Sequence, residues 1–395
     1  MKLVMPGMNK NFEKIALALA IILLLSTLPA IVHAQNDSFK NEEESSDDDM
    51  NELIDEQSGS SGIDSIEDGI NEYSGDGLNE IIEDYDTYSI IKDLTTGKLD
   101  LNPKSIIAKI LNLILKELYL NVNIIAKFII VAILSAIIKN LQASFMSGGV
   151  SELAFYVSYI VMVSIMVASL GQVFKIGTEI IGSMVDFMYA TAPVLVTLMV
   201  SNGNIISGSI MQPISLLAVE TAASVFRTVF IPLTTMAAAV SIVNNISQNI
   251  KLSRLAELLK KVCTWGIGLF LTVFAAIIVL QGSLGSVIDG IASKSLKFTI
   301  SSIPVVGKYM ADAAETVLGC TLVLKNAAGV AVMLGILGMA IMPLLKMGAV
   351  IIMYKIAGAI IEPISDKRLT DCIDDVSKAM STVFGIVTAV VIMFL

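Results

Sequence analysis

The sequence predicts an all-α, polytopic integral membrane protein with about seven to nine transmembrane or re-entrant helices. Three observations carry that expectation. Hydrophobic residues make up 55% of the 395-residue chain and charged residues 16%, where soluble domains run about 45–50% and about 25%. Apolar runs of bilayer-crossing length follow one another from residue 122 to the end. A secretory-type leader and an acidic stretch precede those runs.

Residues 1–34 read as a cleavable signal peptide. Lys2, Lys10 and Lys14 make a basic start, 15–25 is apolar, Pro29 breaks the run, and Val32, His33 and Ala34 fit the small-residue cleavage rule. His33 is the single histidine, so the mature chain is expected to have none. Residues 35–93 form an acidic extracytoplasmic segment. From Asp37 to Asp93 there are 20 acids against Lys40 and Lys92, a net −18, while the chain from Leu94 onward carries 21 bases and 15 acids, a net +6. The overall charge of −10 therefore describes one segment and not the membrane body. So little apolar area cannot offset ordering entropy, and the segment is expected to be largely disordered. It serves as a solubilising tether or as a contact site for a partner. Ile63, Ile66 and Ile70, then Leu78, Ile81 and Ile82, recur at helical spacing and allow short helices in its second half.

Residues 94–121 are expected to hold an amphipathic interfacial helix. Pro103 suits its first turn, Ile106, Ile110 and Leu118 belong to one apolar stripe, and Lys109, Lys116 and Glu117 lie off it. The polytopic domain follows over 122–395. Its candidate spans are near 122–140, 153–171, 181–200, 208–226, 228–245, 262–281, 327–345, 347–361 and 379–395. The last reaches the final residue, so it is expected to end flush with the membrane or to be incomplete. Lys251, Arg254, Lys260 and Lys261 follow the fifth span, and the positive-inside rule places them in the cytoplasm. Residues 283–326 are too polar to span and too apolar for a loop, so a re-entrant or amphipathic hairpin is expected there.

Pro193, Pro213, Pro232 and Pro343 fall within or at the ends of apolar runs, where kinked helices suit a transporter, a pore or any irregular bundle. Ionisable groups inside such runs are costly and mark candidate sites. Asp186 stands seven residues before Pro193; Glu220 and Arg227 lie two helical turns apart with Ser224 between them. They either pair structurally or line an ion or substrate path. In the unusual stretch, Asp289, Pro304, Gly307, Asp312, Glu315 and Lys325 are the candidate functional or packing residues. Cys263, Cys320 and Cys372 have no metal-ligand spacing and are expected to be small core hydrophobes. No Walker lysine, G-x-S-x-G or H-E-x-x-H occurs, and no basic patch is interleaved with aromatics. Neither catalysis, nor a cofactor or metal, nor nucleic acid is therefore expected; membrane lipids are.

Several longer strings carry a family likeness: Lys251-Leu-Ser-Arg-Leu-Ala-Glu-Leu-Leu-Lys260, Gln281-Gly-Ser-Leu-Gly-Ser-Val-Ile-Asp289, Ile303-Pro-Val-Val-Gly307, Ala311-Asp-Ala-Ala-Glu315, and Tyr354-Lys-Ile-Ala-Gly-Ala-Ile-Ile-Glu-Pro363. Over about residues 95–395 the chain resembles the stage III sporulation protein AE family. That resemblance implies a non-enzymatic subunit of the multiprotein channel joining mother cell and forespore, needed after engulfment. It also implies residence in the mother-cell membrane around the forespore, with other stage III operon membrane proteins and a forespore-side protein as partners. A self-contained transporter, and a scaffold recruiting partners through the acidic segment, are the alternatives.

Overall fold

The computed structural model describes residues 63–80, 103–145, 148–246, 252–301 and 307–395. The leader and Pro304 lie outside the described residues, as does most of the acidic segment. Every described element is helical: α1 (Ile63–Asn79), α2 (Pro103–Leu120), α3 (Val122–Phe145), α4 (Gly148–Ser201), α5 (Gln212–Val225), α6 (Ile231–Ile246), α7 (Ser253–Ser301), α8 (Gly307–Ile361) and α9 (Lys367–Phe394). Two π turns, Ser207–Met211 and Phe226–Phe230, lead into α5 and α6.

Among the described residues, six helical segments are long and apolar enough to cross a membrane: Ile106–Ile138, Tyr156–Ser201, Ser207–Ile246, Ser253–Gly290, Thr316–Ile361 and Lys367–Phe394. This corrects the expected seven to nine. The separations read between 171 and 181 and between 345 and 347 are not breaks, because Gln172, Lys175, Glu179 and Lys346 all sit comfortably in a helix. Pro193 and Pro343 lie inside α4 and α8 without ending them. Pro213 and Pro232 are each the second residue after a π turn. A π turn shifts the carbonyl ladder by one residue, so the donor that proline lacks is absorbed at the register change rather than by a break. Residues 208–245 are thereby one crossing and not two. On either side of 302–306 the chain is helical, 283–301 being continuous with α7 and 307–326 with α8.

Contacts sort the helix ends. At one end Lys260 pairs with Asp375 at 2.9 Å, and Asn245 Nδ2 donates to the other carboxylate oxygen at 3.1 Å, tying α6, α7 and α9 together. Nearby, the Tyr159 hydroxyl of α4 donates to the Ile242 carbonyl at 2.7 Å. Asp366 caps α9 by accepting from the Arg368 amide at 3.0 Å. The 246–253 and 361–367 connections therefore share an end, and the α4–α5 turn lies at the other. There Gly203, at φ 79°, supplies the left-handed residue that reverses the chain.

The core forms around α9 and α8. Ile373, Val376, Met380, Val383, Val387 and Val390 of α9 are fully or almost fully buried. The Phe128 ring of α3 packs edge-on against buried Tyr354 of α8, with centroids 5.1 Å apart. By contrast, α7 leaves Trp265, Leu269, Val273 and Leu280 exposed, the arrangement of a helix whose outer face meets lipid. On α2, Ile106 and Leu113 pack against Ile341 of α8, while Ile107, Leu111 and Leu115 face outward.

The described part of the acidic segment departs from a free tether. Helix α1 docks in the membrane body, with Ile66 and Ile70 at 0% exposure inside the main core. Its glycines permit the approach: a Cβ on Gly77 would collide with the Gly338 carbonyl, and one on Gly335 would stand 2.9 Å from Phe187 and 3.1 Å from Ile70. Tyr73 meets Phe187 edge-on, and Glu80 just beyond the helix pairs with Lys116 of α2 at 3.6 Å. Acidic composition pointed to disorder, but isoleucines and glycines on one face give α1 a side that packs.

Candidate functional site

The seam between α4 and the α5–α6 run brings three sequence-predicted residues together. The chain turns back after Ser201, so α4 and the returning helices lie antiparallel. The Tyr189 side chain and the Glu220 carboxylate stand together in the wall of one cavity. Two turns along, the Arg227 guanidinium lies over Gly182, its nitrogen 3.1 Å from where a Cβ would stand. The residue numbers in each couple add to the same total, as one antiparallel register requires. Glu220 and Arg227 are thus not an ion pair with each other; each is engaged by α4 instead. Asp186, between the two couples, is exposed. It also faces α1: neighbouring Glu72, then burial, then Asp186 push the Tyr73 phenol's pKa upward. Among the described residues neither Asp186 nor Arg227 has an ion-pair partner.

The cavity at the Tyr189–Glu220 couple measures about 260 Å³, and its wall includes Val185, Pro193, Leu216 and Phe394. Glu220 is the one charged group in that otherwise apolar wall. Pro193 has no amide to offer the Tyr189 carbonyl, so that acceptor is free of the α-helical ladder at the same place.

A second site lies at the α4–α5 turn. Asp289 of α7 is 3% exposed, and its two carboxylate oxygens accept from the backbone amides of Ile206 at 2.9 Å and Ser207 at 3.1 Å. These amides open the first π turn and would otherwise be orphaned. One α-turn-pair earlier on α7, Gln281 is bonded to the Ser215 hydroxyl of α5. Lys325 of α8 lies within electrostatic reach of Asp289 but forms no close pair. The string that runs from Gln281 to Asp289 is therefore a clamp holding α7 to the turn, and its chemistry is positional.

Gly307, Asp312 and Glu315 lie in the first turns of α8, with their side chains outside the described residues, as Pro304 is altogether. Sequence reasoning missed Tyr189, Lys175 and Glu179. A signal existed for the last two. Lys175, Glu179, Gly182, Asp186, Tyr189 and Pro193 are spaced by fours and threes and occupy one face of α4.

Comparison with known proteins agrees with the strings in α7 and α8. A family model described as "Stage III sporulation protein AE (spore_III_AE)" matches residues 85–395. "Stage III sporulation protein AE" of Bacillus subtilis (strain 168) is 28% identical over 305 residues, covering 77% of this chain and 76% of that protein. No solved structure matches. With most of its length matched, and with the six apolar helices of a membrane protein, this chain belongs to the stage III sporulation protein AE family.

Proposed function

We propose that the protein is a non-enzymatic membrane subunit of the multiprotein channel between mother cell and forespore, required for sporulation after engulfment. The observation that carries this reading is the match of the whole six-helix body to a stage III sporulation family. The body is built to hold helices in register: its best-defined polar contacts are clamps and caps, which suits an architectural part of a larger assembly. In this reading it resides in the mother-cell membrane around the forespore, with the other stage III operon membrane proteins and a forespore-side protein as partners. The signal peptide sends the chain's start outward. Three crossings then bring Arg254, Lys260 and Lys261 to the cytoplasmic side, and five bring Lys367 and Arg368 there.

The test is recovery of the affinity-tagged chain from detergent-solubilised sporulating cells. Stable retention of several membrane partners, with failed forespore gene expression after engulfment in a null strain, is the expected result. A chain that comes down alone while the null strain sporulates normally removes the reading. A self-contained transporter is the second reading, favoured by the cavity beside Glu220. Solute uptake by liposomes containing only this chain, lost in Glu220→Gln, would support it.

A further inference from the structure

One face of α4 carries a run of exposed charged and polar side chains through the middle of its apolar segment. Lys175 and Glu179 form an i,i+4 pair at 3.7 Å with side chains 74% and 63% exposed. Asp186 is exposed two further turns along, and Tyr189 is 60% exposed. These four positions lie within the apolar segment Tyr156–Ser201 and share one helical face over 14 residues, roughly 20 Å at 1.5 Å per residue. The α5–α6 run adds half-buried Glu220 and exposed Arg227 to the same strip. Arg227 is 20 residues from Ser207 and 19 from Ile246, the middle of its crossing, and too far from either end for its side chain to reach an interface. The outer face of α7, by comparison, has its exposed Glu257–Lys261 pair within the first nine residues of its segment and then turns apolar through Trp265, Leu269, Val273 and Leu280.

Ionisable groups inside a membrane face water-filled cavities or other protein, not hydrocarbon. Two features separate these. Interface cores are depleted in Lys, Glu and Asp, whereas here those residues predominate and are exposed. Asp186 and Arg227 also have no ion-pair partner among the described residues, the state of charges solvated by water. We propose that this strip is a section of the wall of a water-filled conduit, closed by further copies of this chain or by its partners. This rests on the channel reading above. With bases and acids both present, the wall admits hydrated polar solutes of either charge sign rather than selecting one.

The test is the reaction of single cysteines with a membrane-impermeant, charged thiol reagent in membranes of sporulating cells. Native Cys263, Cys320 and Cys372 are buried, at 0%, 1% and 0% exposure, and give a silent background. Lys175→Cys, Glu179→Cys, Asp186→Cys and Tyr189→Cys are expected to react at least tenfold faster than Leu269→Cys and Leu280→Cys on the lipid face. Four positions keep the comparison open if one variant is degraded. Equal rates on the two faces overturn the proposal. So does labelling that occurs in the purified chain but is blocked in native membranes with cross-links to another protein, which would make the strip an interface. Recovery of partners is scored independently. Fast labelling in a chain that retains no partner keeps the wet strip and removes the channel reading; slow labelling in a chain that retains them does the reverse.

Discussion

At the residue scale, Asp289 gives the most direct expectations. Its carboxylate accepts two half-buried amides at the opening of the α4–α5 turn. Asp289→Ala should lower stability by about 2 kcal/mol, since each orphaned buried donor costs about 1–3 kcal/mol and half-burial places these two at the low end. Asp289→Asn retains one good acceptor and should lose less. Thermal unfolding in detergent checks the order; equal effects would show that the clamp contributes nothing beyond bulk. Gly77 offers a second case. Gly77→Val drives a side chain into the Gly338 carbonyl, so α1 must lift. Hydrogen exchange of residues 64–78 should accelerate by at least tenfold while exchange in α9 stays as it was. Asp289 was legible in the sequence as a charge where charge is costly. Its partners were not, because backbone amides carry no sequence signature. Tyr189 was hidden for a related reason: an aromatic in an apolar run looks like packing until an antiparallel neighbour presents a carboxylate.

At the element scale, hydropathy located every apolar run, yet it divided them wrongly. Helix continuity depends on the backbone ladder, and a few polar residues such as Lys175 and Glu179 leave that ladder intact. Prolines 213 and 232 looked like breaks because the sequence does not announce a π turn. If those turns do absorb the missing donors, Pro232→Ala should change stability by less than about 1 kcal/mol, although proline inside a regular helix costs about 3 kcal/mol. A gain of several kcal/mol on unfolding would show that the proline is strained there. Helix α1 was legible as a spacing of isoleucines. Its destination was not, since Ile70 meets Gly335 some 265 positions later and no local pattern encodes such a distance.

At the scale of the whole molecule, the two ends are held differently. One is fastened by Lys260, Asp375 and Asn245, the other by Asp289. Asp375→Asn should destabilise more than Lys260→Gln, because Asp375 serves two donors and Lys260 one acceptor. The double variant should be less harmful than the sum, with a coupling of about 0.5–3 kcal/mol. The side chains are about a quarter exposed, which places the coupling toward the low end. Orientation is checked by reporter insertion. Alkaline phosphatase placed in 202–205 should be active and a fluorescent protein placed in 247–250 should fluoresce; the reverse would invert the topology.

The docking of α1 also has a consequence in time. Its residues emerge from the ribosome early, but Gly338, on which Gly77 rests, is synthesised 261 residues later. At about 5–20 residues per second, the helix waits roughly 13–50 seconds for its seat. It is made before the seat exists, and no other described element of the chain is made so long before its neighbour. Docking of the first helix thus has to wait for α8, although α1 is the first described helix to be made. Chains arrested before residue 330 should leave α1 open to an external protease, and release to full length should seal it.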